Sequence, residues 1–195
     1  MLKLNHLANN VTTISHKIYI KMKRIFITLI ILAFNCTTQA QKIKTKQNNK
    51  AMTLIEDRLA LKELVDIFSI LADEKKTEQQ TFLFTENAEV ISILNGKANP
   101  ALVGRKQIGE AFAGFLNLFE TVYHLNGQQT VSINGNAATG TSYCQVTLIA
   151  TENDKKMKTT FGIIYNDEFL KVNGHWLINK RKSNFIWTEK TALGI

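Results

Sequence analysis

Cysteine and proline are nearly absent, with two of the first and one of the second in the whole chain. So sparse a cysteine count excludes a disulfide framework and paired-cysteine metal motifs, and the domain must rely on packing alone. Only four histidines occur, and no His-x-x-x-His pair stands among them, so a helical zinc site has no support. No glycine-rich phosphate loop is present, which leaves nucleotide binding without a motif. The longest apolar run, residues 25–34, is too short to span a bilayer comfortably. Acidic residues are missing from the first forty positions, which hold Lys3, Lys17, Lys21, Lys23 and Arg24. Setting those five aside leaves 19 basic against 16 acidic residues, so the net charge of +8 is mostly a leader effect and not a nucleic-acid signal.

What is there begins with an export leader over residues 1–40. Met22-Lys23-Arg24 is a basic start, 25–34 a signal-peptide core, and Thr38-Gln39-Ala40 sets small residues before a cut at Gln41. The signal peptide proper is expected over 22–40, with 1–21 an upstream over-call. An uncleaved membrane anchor is the bland alternative for this segment. The expected location is periplasmic or secreted, with membrane contact only through the leader. Cys36 raises a lipoprotein reading, but Phe34-Asn35 is a poor lead-in to a lipidated cysteine. Residues 41–52, rich in Lys, Gln and Asn, read as a disordered linker. After cleavage only Cys144 remains, in a strand-like run, where it reads as a small buried hydrophobe.

The domain itself is expected over 53–190. Residues 53–73 carry Leu54, Leu61, Leu64, Val65, Phe68, Leu71 and Ala72 on one helical stripe. Thr53 and Glu56 form a capping-box pattern at its start. Asp73 lies on the shoulder of the stripe, where its carboxylate either looks back into a cavity or ends the helix in water. Leu59 and Ile70 fall on the far side and point to a covered outer face, as in a homodimer. A short helix is expected over 77–84 with Phe82, Leu83 and Phe84 buried, then a break at 85–87 and a strand over 88–94. A third helix opens at Gly104, with Ile108, Ala111, Phe112, Phe115 and Leu118 as its stripe and Arg105 and Lys106 in solvent.

From Glu120 the period changes from helical to two. Strands are expected over 120–133, 137–151, 157–170 and 175–187, joined by turns at Asn134-Gly135, Asn153-Asp154 and Asn173-Gly174. Helices first and an antiparallel meander after is the α+β pattern. The strands must curl to bury their apolar faces, and the helices fill the concave side, making a cone-shaped α+β barrel with a pocket at its mouth. For the strand aromatics Tyr143, Phe161, Tyr165 and Trp187, core packing is the default and pocket lining the second reading; Phe68 on the first helix joins that candidate lining. His175, beside a turn, reads as surface.

Several ordered pieces carry a resemblance. Ile55-Glu56-Asp57-Arg58-Leu59-Ala60-Leu61-Lys62-Glu63-Leu64 resembles a family's opening helix, and Ala72-Asp73 with Leu83-Phe84-Thr85-Glu86-Asn87-Ala88 its acidic helix end and entry to the first strand. Gly104-Arg105-Lys106-Gln107-Ile108 matches its third-helix start. Tyr123-His124-Leu125 and Val131-Ser132-Ile133-Asn134-Gly135-Asn136-Ala137 match a hairpin, and Gly162-Ile163-Ile164-Tyr165-Asn166-Asp167-Glu168 with Asn173-Gly174-His175-Trp176 its ending. Over 53–187 the chain resembles the SnoaL-like branch of the nuclear transport factor 2-like superfamily. That resemblance implies three helices on a curved, mostly antiparallel sheet.

Within the superfamily, the pattern is similar to scytalone dehydratase and hexachlorocyclohexane dehydrochlorinase, which use a histidine on the first long strand and an aspartate ending the first helix. His124 and Asp73 stand at the matching positions. A second histidine on the following strand, used by the dehydratase, has no counterpart between His124 and His175. The resemblance therefore implies a cofactor-free lyase or isomerase, with His124 as general base and Asp73 its partner, acting on a small hydrophobic molecule. The competing readings are a non-catalytic ligand-binding or interaction module of the same fold. Asn126, Gln128 and Thr130 are expected on the same side of the strand as His124.

Overall fold

The computed structural model describes residues 21–23, 41–42 and 44–194. The apolar leader core, the cleavage site and Cys36 lie outside the described residues. The chain divides into two compact units, Met1–Thr53 and Leu54–Ile195. In the first, residues 41–42 and 44–53 are helical and exposed, where a disordered linker is expected. Lys, Gln, Asn and Thr without Gly or Pro are compatible with helix. Thr53 Oγ1 donates to the Asn49 carbonyl at 3.0 Å, one turn back, so Thr53 is not an N-cap and the capping box does not form. No described helix is long and apolar enough to cross a membrane.

The second unit opens with helix α1, residues 54–73. Its stripe buries Leu61, Leu64, Val65, Phe68 and Ala72, while Leu54 is exposed, as are Leu59 and Ile70. Helix α2 (Thr77–Thr81) is shorter than expected. Phe84 starts strand β1 (Phe84–Leu94) fully buried, while Phe82 points out beside the Arg105 guanidinium. The expected break at 85–87 is a bulge instead, marked by a register shift against the last strand between Phe84 and Glu89. Strands β2 (Lys97–Ala98) and β3 (Leu102–Val103) lead to helix α3 (Gly104–Leu116). Of its predicted stripe, Ile108 is buried and Phe112 packs on the core, but Phe115 and Leu118 are exposed. Arg105, expected in solvent, donates from Nε and Nη2 to the Phe84 carbonyl and so ties α3 to β1.

Four long strands follow: β4 (Thr121–Asn134), β5 (Ala137–Glu152), β6 (Lys155–Val172) and β7 (His175–Ala192). Asn153-Asp154 and Asn173-Gly174 both have positive φ, the mirror-image turns that suit twisted hairpins. The seven-stranded sheet runs β2-β1-β7-β6-β5-β4, with β3 beside β1. Among the described residues, only β1 and β7 pair in parallel; the other pairs are antiparallel. The path ends at β2 and β4, so the barrel is unclosed. Register shifts near Gly127 in β4, at Gly162 and Glu168 in β6, and early in β1 add local twist and curve the sheet.

Two apolar clusters fill the concave side. One joins α1 to Phe84, Ala88, Val90, Ile108, Phe169, Trp176 and Ile178. The other gathers Ala72, Leu116, Val122, Cys144, Val146, Leu148, Ile163 and Tyr165, with Phe119, Phe161 and Phe185 against it. Each fully buried Leu, Ile or Phe contributes roughly 1.5–3 kcal/mol over its exposed state. A polar staple holds the end of the first cluster, where buried Asp57 accepts from Trp176 Nε1 at 2.9 Å and Lys171 Nζ at 2.6 Å.

Candidate functional site

Asp73 is the last residue of α1, immediately before the turn in which Lys75 takes a positive φ. His124 belongs to the inward set of β4 with Val122, and is paired across to Val146. The two meet across fifty-one positions of chain. Asp73 Oδ1 lies 2.6 Å from His124 Nδ1, and Oδ2 accepts from the His124 backbone N–H at 3.2 Å. A carboxylate only accepts, so Nδ1 is the donor and Nε2 carries the free lone pair. One carboxylate therefore orients the ring, selects its tautomer and anchors the strand. The imidazole side chain is 7% exposed and the carboxylate 25%, so the dyad sits at the edge of the interior.

Further along β4, Asn126 accepts from Ser69 Oγ at 3.1 Å and donates to Asp66 Oδ1 at 3.0 Å and to the Val65 carbonyl at 3.3 Å. Gln129 Nε2 donates to the Leu61 carbonyl at 3.3 Å. These bonds stitch β4 to α1 on the side that carries the dyad. Gln128 and Thr130, expected beside His124, are exposed instead. The extra residue of the bulge at Gly127-Gln128 reverses the alternation, so Gln129 takes the inner place.

Of the expected lining, Phe68 and Tyr165 are buried with ring centroids 6.2 Å apart, edge to face. Phe161 packs against the second cluster, 5.3 Å from Phe185. Tyr143 and Trp187 do not join them. Tyr143 alternates with buried Ser142 and Cys144 and is 49% exposed. Trp187 is paired with Gly162, and its indole lies over that glycine, on the face opposite Ile163. That outer face also holds an open groove of about 420 Å³ lined by Thr130, Thr141, Asn166 and Lys182, remote from the dyad. Burial pushes the Cys144 thiol up to about 11, which keeps it protonated and unreactive. His175 is exposed at its turn.

The interior also holds a charged pair that sequence reasoning does not single out. Arg181 donates from Nε to Asp167 Oδ1 at 2.8 Å and from Nη2 to Oδ2 at 2.7 Å. The side chains are 1% and 0% exposed. The guanidinium carbon lies 4.2 Å from the Phe68 ring centre and 4.3 Å from that of Tyr165. Burial opposes the Arg181 charge, but Asp167 outweighs it and holds the group above its ordinary range. Asn179-Lys180-Arg181-Lys182 looks like a solvated basic run. The available signal is the apolar phase of β7, in which Trp176 and Ile178 are buried and a register shift brings Arg181 to the same side.

A SnoaL-like domain profile matches residues 53–182. The chain belongs to the SnoaL-like family. Among solved structures, this SnoaL-like domain is similar to a candidate scytalone dehydratase from Novosphingobium aromaticivorans, with 22% identity over 73% of this chain and 91% of that one, at a TM-score of 0.60. Kfla4162 of Kribbella flavida gives 16% identity over 70% and 95%, at 0.63. A type 2 hexachlorocyclohexane dehydrochlorinase gives 13% over 72% and 90%, at 0.60. At these identities the likeness shows the fold. No curated protein matches significantly. Among the described residues, no group of three or more His, Cys, Asp or Glu is placed to hold a metal ion in this SnoaL-like domain.

Proposed function

We propose that this chain is an exported, cofactor-independent lyase or isomerase whose general base is His124 and whose orienting carboxylate is Asp73. The observation that carries the reading is the 2.6 Å contact between Nδ1 and Oδ1, with the ring almost wholly withdrawn from water. With Nδ1 protonated, Nε2 accepts a proton from carbon next to a carbonyl or beside a leaving group. The C–H electron pair becomes an enolate or a new C=C bond, and in elimination the leaving group departs with its own pair. Asp73 stabilises the imidazolium as it forms, an arrangement worth about 10²–10⁴-fold. Ala72, Val122 and Val146, which adjoin the dyad in chain or ladder, belong to the second apolar cluster, and that setting suits a small hydrophobic molecule. The structural neighbours include a candidate scytalone dehydratase and a hexachlorocyclohexane dehydrochlorinase, both named for eliminations, which supports the same reaction class here. The signal-peptide pattern supports export.

The test is a thermal-shift screen of small hydrophobic molecules on residues 41–195, then assay of the hits for elimination or for exchange of carbon-bound hydrogen with deuterated water. His124→Ala is expected to abolish turnover while the protein stays folded. Undiminished turnover in that variant would sink the reading. The homodimer expected from the sequence has its support in the outer sheet face, where Tyr123, Leu125, Tyr143 and Trp187 are exposed in neighbouring positions. Sedimentation of wild type against Tyr143→Lys tests it, with a shift toward monomer expected.

A further inference from the structure

Helix α1 ends in a turn that glycine ordinarily supplies. Lys76 N–H donates to the Leu71 carbonyl at 2.8 Å and Lys75 N–H to the Ala72 carbonyl at 3.0 Å, the paired bonds of a Schellman stop. In that motif the residue past the cap adopts the left-handed conformation, which suits glycine and disfavours a side chain. Here that residue is Lys75, with a φ of 56°. Backbone strain of this kind persists where its surroundings fix it, and it gathers at functional sites. The Lys75 side chain gives the reason for it. Its Nζ donates to the Phe119 carbonyl at 2.5 Å, and the residue is half-buried while Glu74 and Lys76 on either side are exposed.

This strap joins the two segments that carry the dyad. Asp73 lies two residues before Lys75, and His124 five residues after Phe119. Phe119 is itself fixed, packed on the second apolar cluster and edge to face against Phe115 with ring centroids 5.2 Å apart. The next residue, Glu120, donates its N–H to the Ile149 carbonyl at 2.7 Å. On the other side of the dyad, Asn126 bonds Ser69 and Asp66, four and seven residues before Asp73 on α1. Beyond Asp73, Lys75 supplies the one side-chain hydrogen bond, among the described residues, from this turn to the approach of β4. We propose that Lys75 is a positioning residue: its bond to Phe119 holds the Asp73 carboxylate against His124 Nδ1, and glycine in its place would make the better turn but the looser dyad. A misplacement of about 1 Å at a reacting group costs roughly a hundredfold in rate. The effect on turnover rests on the proposed role of His124; the effect on the imidazole ring does not.

The experiment reads the ring nitrogens of His124 by heteronuclear magnetic resonance in the full chain at about pH 9, above the ordinary histidine range. The chain has four histidines, and the signal lost in His124→Gln identifies this one. In the wild type the ring is expected in the Nδ1–H form that Asp73 selects. Lys75→Met should lower the ratio of Nδ1–H to Nε2–H about tenfold, and Lys75→Arg, which keeps a donor on a long stem, should restore it. Lys75→Gly is the deciding variant, because relief of the positive φ offsets the lost bond. It should shift the ring signal as Lys75→Met does, while the melting midpoint stays near the wild-type value. On any substrate found, kcat should fall about ten- to hundredfold in Lys75→Gly with KM nearly unchanged. Wild-type ring shifts in both Lys75→Gly and Lys75→Met would overturn the proposal, as would a ring change that appears only in step with a lost melting midpoint. Ring shifts that follow Lys75 while His124→Ala keeps full turnover would sink the catalytic reading alone.

Discussion

Asp73 does two jobs with one carboxylate, accepting from the ring and from the backbone of His124. Asp73→Asn keeps the shape but lets the amide donate, so it no longer enforces the Nδ1–H tautomer. The expected result, read from steady-state kinetics on any substrate found, is a fall in kcat of about 10²–10⁴-fold with a near-normal melting curve. Arg181 behaves differently, because its partner is as deeply buried as it is. Arg181→Met leaves the Asp167 charge unpaired in the interior, at an expected cost of about 3–5 kcal/mol in urea denaturation. The companion Asp167→Leu change should restore most of that loss, since a well-packed apolar pair of similar volume is often as stable as the ion pair it replaces. Neither role is visible in the local spelling of the chain. Asp73 looks like a helix end and Arg181 like one of three consecutive basic residues.

At the scale of elements, β4 is decided by one residue too many. The bulge between Asn126 and Gln129 lets His124 and Gln129 both face α1, though they lie an odd number of positions apart. Deleting Gln128 would leave Gly127 alone opposite Tyr143 and restore simple alternation with His124, Gln129, Val131 and Ile133 all still inward. The expected outcome is soluble folded protein, checked by expression yield and circular dichroism; loss of the fold on this deletion would contradict the register described. Gly162 is a second local constraint. A Cβ there would collide with Trp187 Nε1, yet the indole is half exposed and free to swing away. Gly162→Ala is therefore expected to change Trp187 fluorescence with only a small loss of stability.

For the whole molecule, the acid limb of stability has a named contributor. Burial works against the Asp57 charge, but hydrogen bonds from Lys171 and Trp176 and the Lys171 charge outweigh it and hold its pKa below the usual carboxylate range. A carboxyl lowered on folding adds stability that is fully present above its unfolded value and lost as pH falls through the folded one. Thermal midpoints measured from pH 6 down to pH 3, a window of roughly the usual carboxylate range and just below it, should fall less steeply in Asp57→Asn than in wild type. Equal slopes would remove Asp57 from that role.

Much of this architecture was legible in the residues themselves. The stripe from Leu61 to Ala72, the shift from helical to two-residue period after Glu120, and the Asn-Asp and Asn-Gly turns are local signals. Each reports a face or a turn that a few neighbouring residues decide, so the helices, the meander and the family pattern could be read in order. The placement of His124 near Asp73 was readable only through the family resemblance, because nothing in either neighbourhood mentions the other. Tertiary structure alone decided which aromatics turn inward, because bulges invert the alternation and a strand's phase is set by its partners. It likewise decided that Arg181 is buried against Asp167, since a charge enters a core only where distant chain supplies its counter-charge and the rings that enclose it.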